Sequence, residues 1–475
     1  MSEYIATIGL EVHCELKTET KLFCSCRNVF GAKPNTNTCP VCAGHPGVLP
    51  VLNRKAVEYT VRAGCAIGCE INRFSKWDRK NYFYPDLPKA WQTSQYDLPL
   101  CIGGSITFDV NGEEKTVRLN RIHLEEDAGK LVHSGNCTMV DYNRCGVPLM
   151  ECVTEPDMHS ADEAVAFLEE LASIFRYSGV SDCRMQEGSI RADVNLSLSR
   201  PGEPLGTRTE TKNLNSFRSV RRAIEAEIRR QTEVLESGGK VVQETRHFDD
   251  NTGTGYGMRS KEDAQDYRYF PEPDLMPVVM SDEDIARIKA EVPELKRARR
   301  KRYVSELGLS DYDASQLTSE PEIAELFDGA VKAGANAKKA ANYVMSEIMR
   351  KGKTAGEDGI VVGVTSSQLA ELLALVDKGE INLVASRDVL DKMWLNPNES
   401  AAKAVDELGL RQNNDAGEIE KLVRDIIAAN PGPANDFRNG NEKVLSFFVG
   451  QLMKATKGKT NPKIAGELVR KLLSE

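Results

Sequence analysis

Residues 4–16 read YIATIGLEVHCEL. On a β-strand successive side chains point to opposite faces, so Leu10 and Val12 pack on one side while Glu11 and His13 project from the other. Four further stretches alternate in the same way: GSITFDV (104–110), KTVRLNRIHLE (115–125), VPLMECV (147–153) and SIRADVNLSL (189–198). Gly103-Gly104 and Asn111-Gly112 are turn signals between them. Two helices interrupt the strands, SADEAVAFLEELASIFRYSG (160–179) and SFRSVRRAIEAEIRRQTEVLESGG (216–239). Ser160 and Ser216 suit their N-caps, Gly179 and Gly238 their ends. Strand runs with isolated helices, and no regular βαβ alternation, predict an α+β domain on a mostly antiparallel sheet over residues 1–294.

From LKRARRKRYVSELGLS (295–310) onward helix formers dominate, and apolar residues recur at i, i+3 and i+4, as in SSQLAELLALVDKG (366–379). This predicts an all-helical module over 295–408. Gly409 opens a smaller helical unit over 409–475, broken internally by Pro431-Gly432-Pro433. Two to four domains also suit a length of 475 residues. With 40% hydrophobic and 28% charged residues, ordered cores are expected and bulk disorder is excluded. No apolar run reaches the ~18 residues of a membrane span, and no secretory leader is visible, so a cytoplasmic setting is expected. The net charge of −9 argues against nonspecific coating of nucleic acid. The last stretch runs against that sign: from Arg438 to Glu475 eight Lys/Arg face three acids. Within it, KATKGKTNPK offers Lys454, Lys457, Lys459 and Lys463 around Gly458 and Pro462, a loop suited to backbone phosphates. The helix bearing Arg218, Arg221, Arg222, Arg229 and Arg230 ranks below it because acids dilute its charge, and the run Lys296 to Arg302 reads as a solvated helix start.

All twelve cysteines lie between Cys14 and Cys183. Cys24-x-Cys26 and Cys39-x2-Cys42 form two pairs at metal-ligand spacing, which favours a structural, four-thiolate zinc site over plain burial. Cys65, Cys69, Cys101, Cys137, Cys145, Cys152 and Cys183 read as core thiols.

Three acidic clusters fall on separate predicted strands: Glu11 with His13; His123, Glu125, Glu126 and Asp127; and Glu151 with Glu155. Strand parity sets His123 and Glu125 on one face and Glu126 on the other, unless a bulge intervenes. Glu151 sits among Leu149 and Val153, where an acid needs a cation or a metal. Carboxylates suit Mg²⁺, usually shared with substrate phosphates, and a histidine leaves room for Mn²⁺. Solvated surface is the alternative for such runs. Arg191, Asp193 and Asn195, with Glu210, Lys212, Asn213 and Arg218, suit either a phosphate-and-metal site or cross-strand salt bridges. No phosphate loop or nucleophile elbow occurs, and Gly253-x-Gly255-x-Gly257 reads as a flexible turn.

Taken together, IGLEVHCELKT, DRKNYFYPDLPKAWQTSQYD, IHLEEDAGK, DYNRCGVPLMECVTEPD, TKNLNSFRSVRRA, DYRYFPEPDL and VGQLMKATKGKTNP closely resemble the GatB family, the B subunits of the glutamyl/aspartyl-tRNA amidotransferases. The chain lacks room for the domain inserted in the archaeal sister subunit GatE. The resemblance implies a cradle like the glutamine synthetase and guanidino kinase catalytic fold, a helical domain and a YqeY-like tail. It implies ATP-dependent phosphorylation of the side-chain carboxylate of glutamate or aspartate misacylated onto tRNA(Gln) or tRNA(Asn), then amidation by ammonia from an amidase partner, GatA, with GatC joining the two. Glu11, His13, Glu125 or Glu126, and Glu151 would handle metal and ATP phosphates, with Arg191 as a phosphate contact and Asp193 and Lys212 beside the nucleotide. The family pattern makes Lys80 and Lys89 lysines of the active site or ammonia route, and the tail loop the tRNA contact. A noncatalytic tRNA-binding scaffold is the competing expectation.

Overall fold

The computed structural model describes residues 4–214, 216–260, 266–355, 359–412, 416–456, 460 and 462–474. The chain divides into two compact units, Met1–Leu295 and Lys296–Glu475.

The first unit is built on a ten-stranded sheet. Its middle consists of β1 (Ile5–Glu15), β2 (Glu113–Glu126), β3 (Pro148–Thr154), β4 (Ile190–Ser199) and β5 (Thr209–Leu214). Their spatial order is β5-β4-β1-β3-β2, with every neighbour antiparallel. Among the described pairings of this sheet, only β5 with Glu244–Asp249 is parallel. Asn111 and Gly112, both at positive φ (54° and 83°), close the hairpin from Ser105–Val110 into β2, the conformation a two-residue turn requires.

Alternation divides the sheet as the strand pattern predicts. Ile8, Leu10, Val12, Ile122, Leu124, Met150, Ala192 and Val194 belong to one buried core with Phe167, Leu168, Leu171, Val220 and Ile224. Those last five come from the helices Ala161–Tyr177 and Phe217–Glu236, capped by Ser160 and Ser216 as expected. Each such fully buried Leu or Ile contributes about 1.5–3 kcal/mol, so the apolar face anchors the sheet and leaves the other face available for polar groups.

In the second unit the named elements are all helices. One apolar cluster runs from Tyr303 to Val405 and a separate one from Ile419 to Leu473. Pro431 occupies the first turn of Pro431–Arg438 and so separates it from Ala416–Ala429. Among the described residues no helix is long and apolar enough to cross a membrane.

Three sequence expectations are corrected. Cys137 is exposed, because it opens the solvent-facing ribbon of Cys137–Asp141 with Lys130–Ser134. Gly255 and Gly257 lie within the strand Thr254–Ser260 and only Gly253 turns; a Cβ on Gly257 would meet the Glu244 carboxylate at 2.6 Å. The basic helix start is not simply solvated, since Arg299 is buried and stands 3.5 Å from Asp328.

Candidate active site

Register positions the polar face. His13 on β1 stands opposite Glu151 on β3 and Arg191 on β4, while Glu151 stands opposite His123 on β2. Cross-strand partners share a face, so four adjacent strands deliver Arg191, His13, Glu151 and His123 as one row. Glu125, two residues beyond His123, joins it from the next row. His13 Nε2 lies 3.4 Å from Glu151 and 3.9 Å from Glu125. His123 Nε2 lies 3.3 Å from Glu151 and 3.7 Å from Glu125. Ser94 donates its hydroxyl to Glu125 (3.1 Å).

The electrostatics follow from two buried acids facing two imidazoles. Burial works against the charge on His123, but Glu151 and Glu125 lift its pKa to about 9. Burial likewise opposes the charge on His13, and the hydrogen bond and charge of Glu151, with Glu125, outweigh it and raise the pKa. Burial pushes Glu151 up, yet His123 and His13 together hold it well below the usual carboxylate range. The two acids therefore draw in positive charge. One ligand atom each from His13, Glu125 and Glu151 falls within 4.8 Å of the others, and two carboxylates with an imidazole are a donor set for Mg²⁺ or Mn²⁺.

The other expected residues divide around this cluster. Glu11 accepts from Asn195 (2.9 Å), and burial, with the charge of Glu151, raises its pKa. It borders the three-ligand set and is not one of the three. Lys212 bridges Asp193 (3.2 Å) and Glu210 (3.0 Å), and Arg191 pairs with Asp127 at 2.6 Å. Lys80 is held over the Tyr267 ring (4.9 Å); burial opposes its charge, and Glu125 heads the groups that raise its pKa.

Glu126 turns away from the cluster. It pairs with Lys89 and accepts from the Thr93 backbone N–H (2.9 Å). This pair lines a cavity of about 330 Å³ whose other walls include Arg79, Trp91, Glu272 and the loop from Cys42 to Pro50. Of the Glu125/Glu126 alternatives that the sequence leaves open, Glu125 belongs to the three-ligand set, and His123 pairs with its two carboxylates without being one of the three.

The sulfur atoms of Cys24, Cys26, Cys39 and Cys42 lie within 4.8 Å of one another. Cys39 Sγ and Cys42 Sγ are 3.9 Å apart, close to the ~3.8 Å edge of a tetrahedron with 2.3 Å zinc–sulfur bonds. The hydrogen bond from the Cys24 thiol, above all, brings the Cys42 pKa down to about 4. A soft, four-sulfur set of this kind fits zinc.

Of the tail lysines, Lys454 is exposed in Leu445–Ala455; Lys457 and Lys459 lie outside the described residues, as does the Lys463 side chain. In the arginine helix, Arg221, Arg222 and Arg230 are tied to Asp162, Asp250 and Glu227.

The first unit thus carries two donor sets, an acid-and-imidazole cluster on the sheet face and a four-sulfur knuckle, which define a carboxylate-rich cradle. Residues 6–286 match the family model of the GatB/GatE catalytic domain and residues 325–473 that of the GatB domain, so the chain belongs to the GatB/GatE family. It is 54% identical to the B subunit of the aspartyl/glutamyl-tRNA(Asn/Gln) amidotransferase of Geobacter sulfurreducens, over 99% of both chains. The corresponding B subunit of Caldicellulosiruptor saccharolyticus is 52% identical over 100% of both, and that of Geotalea daltonii 51% over 99% of both.

Proposed function

We propose that this chain is the subunit of a tRNA-dependent amidotransferase that activates the side-chain carboxylate of misacylated Glu-tRNA(Gln) or Asp-tRNA(Asn) with ATP. The observation that carries the reading is the convergence of His13, Glu125 and Glu151 from three adjacent strands on one buried, acid-rich spot. Those three would hold a divalent ion, which supplies neutralisation of the terminal phosphate charge during phosphoryl transfer. A carboxylate cannot expel oxide when ammonia attacks, whereas an acyl phosphate expels phosphate.

The chain's own residues take the remaining roles. Arg191, held against Asp127, presents a guanidinium at the edge of the row for a phosphate oxygen. Glu11, Asp193 and Lys212 border the nucleotide's side of the cluster. Lys80, anchored by tyrosine rings, faces Glu125 and is suited to orient the substrate carboxylate. Lys89 and Glu126 line the neighbouring cavity, which supports a route for ammonia from the amidase partner GatA, with GatC completing a cytoplasmic heterotrimer. In this reading residues 1–294 form the catalytic cradle, 295–408 the helical domain, and 409–475 the tail that holds tRNA through Lys454, Lys457, Lys459 and Lys463.

The test is the purified three-subunit complex assayed with each misacylated tRNA, following ADP and amide together. Wild type should form both in step, and Glu151→Ala neither, with tRNA binding retained. Full turnover by Glu151→Ala would refute the reading.

A further inference from the structure

Lys21 is 0% exposed, one of the largest fully buried side chains in the protein. Its ammonium donates to Cys42 Sγ (3.5 Å) and to the Tyr142 carbonyl (3.2 Å); neither partner is a carboxylate. Glu126 stands across Gly146 from the Lys21 stem, but its carboxylate is committed to Lys89 and to the Thr93 N–H. A buried ammonium without an opposing charge is strongly unfavourable.

A metal-loaded four-sulfur knuckle would supply that charge. Four thiolates around one divalent cation leave a net charge of −2 by simple arithmetic, and this charge needs partners of its own. Of the four cysteines only Cys42 is buried, and it is the one that receives the Lys21 ammonium, together with the Cys39 backbone N–H (3.2 Å). The deepest thiolate, which water reaches least, is thus the one given a formal positive charge.

We propose that Lys21 is the counter-charge of the metal centre: its ammonium offsets one of the two residual negative charges of a four-thiolate zinc site. Through Tyr142 it also ties the knuckle to the segment Asp141–Gly146, which leads into β3. The inference rests on reading the knuckle as a metal site and is independent of the proposed catalytic role. Lys21 is a positioning residue, acting on the metal through a ligand sulfur.

The experiment uses the full chain and zinc in competition with a chromophoric chelator, with Co²⁺ substitution as a spectroscopic check on the sulfur donors. Wild type should hold one zinc per chain, and Lys21→Met should bind it about 10–100-fold more weakly, the range typical for partners that support metal ligands. Adding Cys26→His, which lowers the charge of the centre to −1, should recover part of the loss. Lys21→Arg, which keeps the charge, and Lys21→Gln, which does not, make the same comparison if the methionine variant fails to fold: arginine close to wild type, glutamine weakened. Equal affinities for the charged and neutral variants, or a purely additive loss on introducing Cys26→His, would overturn the role of Lys21. A wild-type chain that takes up no zinc would overturn the metal reading itself.

Discussion

Among single residues, buried charge is the common theme, and Glu227 shows it away from the active site. It is 6% exposed and accepts from Arg230 (2.6 Å), Thr209 (2.8 Å) and Gln231 (2.9 Å), with Arg246 at 3.3 Å. Burial raises its pKa, but the hydrogen bonds from Arg230, Gln231 and Thr209 prevail and lower it. A carboxyl with a depressed folded-state pKa adds stability above its unfolded value of about 4.3, and that stability is lost as pH falls through the folded value. Glu227→Gln should therefore cost about 3 kcal/mol at pH 7, the lower end for breaking a buried pair, with the gap to wild type closing as pH falls below about 4. Urea denaturation of both proteins at several pH values checks this, and a gap that widens on acidification would refute it. Residues of the site were legible where strand parity governs: the period of two puts Glu11 with His13 and His123 with Glu125, and it separates Glu126 from them. Lys21 was not legible, because nothing in Thr20-Lys21-Leu22 announces that the lysine is buried against a sulfur.

Secondary-structure elements were legible where local chemistry and tertiary packing agree. Ser160 and Ser216 cap their helices, Asn111-Gly112 turns its hairpin, and β1 and β4 largely alternate in burial, whereas β3 and the end of β2 are covered on both faces. Legibility fails where a neighbour decides. Gly255 and Gly257 look like a loop in isolation, yet the side chains of Arg246 and Glu244 from the adjacent strand cover them and make them strand. Gly64 poses the same question within the helix Arg54–Ile67: a Cβ there would meet Cys101 Sγ at 2.5 Å and Ile71 Cδ1 at 3.1 Å. In an exposed helix Gly→Ala gains about 1 kcal/mol. Overpacking a well-filled core costs about 1–3 kcal/mol, so here the clash prevails. Gly64→Ala should lower stability by about 1–2 kcal/mol in chemical denaturation, despite better helix propensity. A stabilised variant would show that the helix can shift off the strand Cys101–Ile102 at little cost.

Over the whole molecule, acidic charge predominates while the C-terminal stretch is basic, the contrast on which the proposed tRNA-holding role of the tail rests. Deleting residues from 410 onward should weaken tRNA binding by the complex and flatten its salt dependence, by roughly 0.9 in slope for each phosphate no longer neutralised. An unchanged slope would remove the tail from the tRNA interface. The α+β cradle and the helical module were both legible from the change in periodicity near residue 295, whereas the cavity beside Lys89 and Glu126 was not, because its walls come from stretches as distant as Cys42 and Glu272. In the proposed function His13, Glu125 and Glu151 together hold the divalent ion that accompanies a nucleotide. Electron paramagnetic resonance of Mn²⁺ titrated into the full chain with a non-hydrolysable ATP analogue tests it most directly. Wild type should show one nucleotide-dependent Mn²⁺ site, weakened about tenfold or more in His13→Ala and in Glu151→Gln. Equal Mn²⁺ affinity in all three proteins would contradict it.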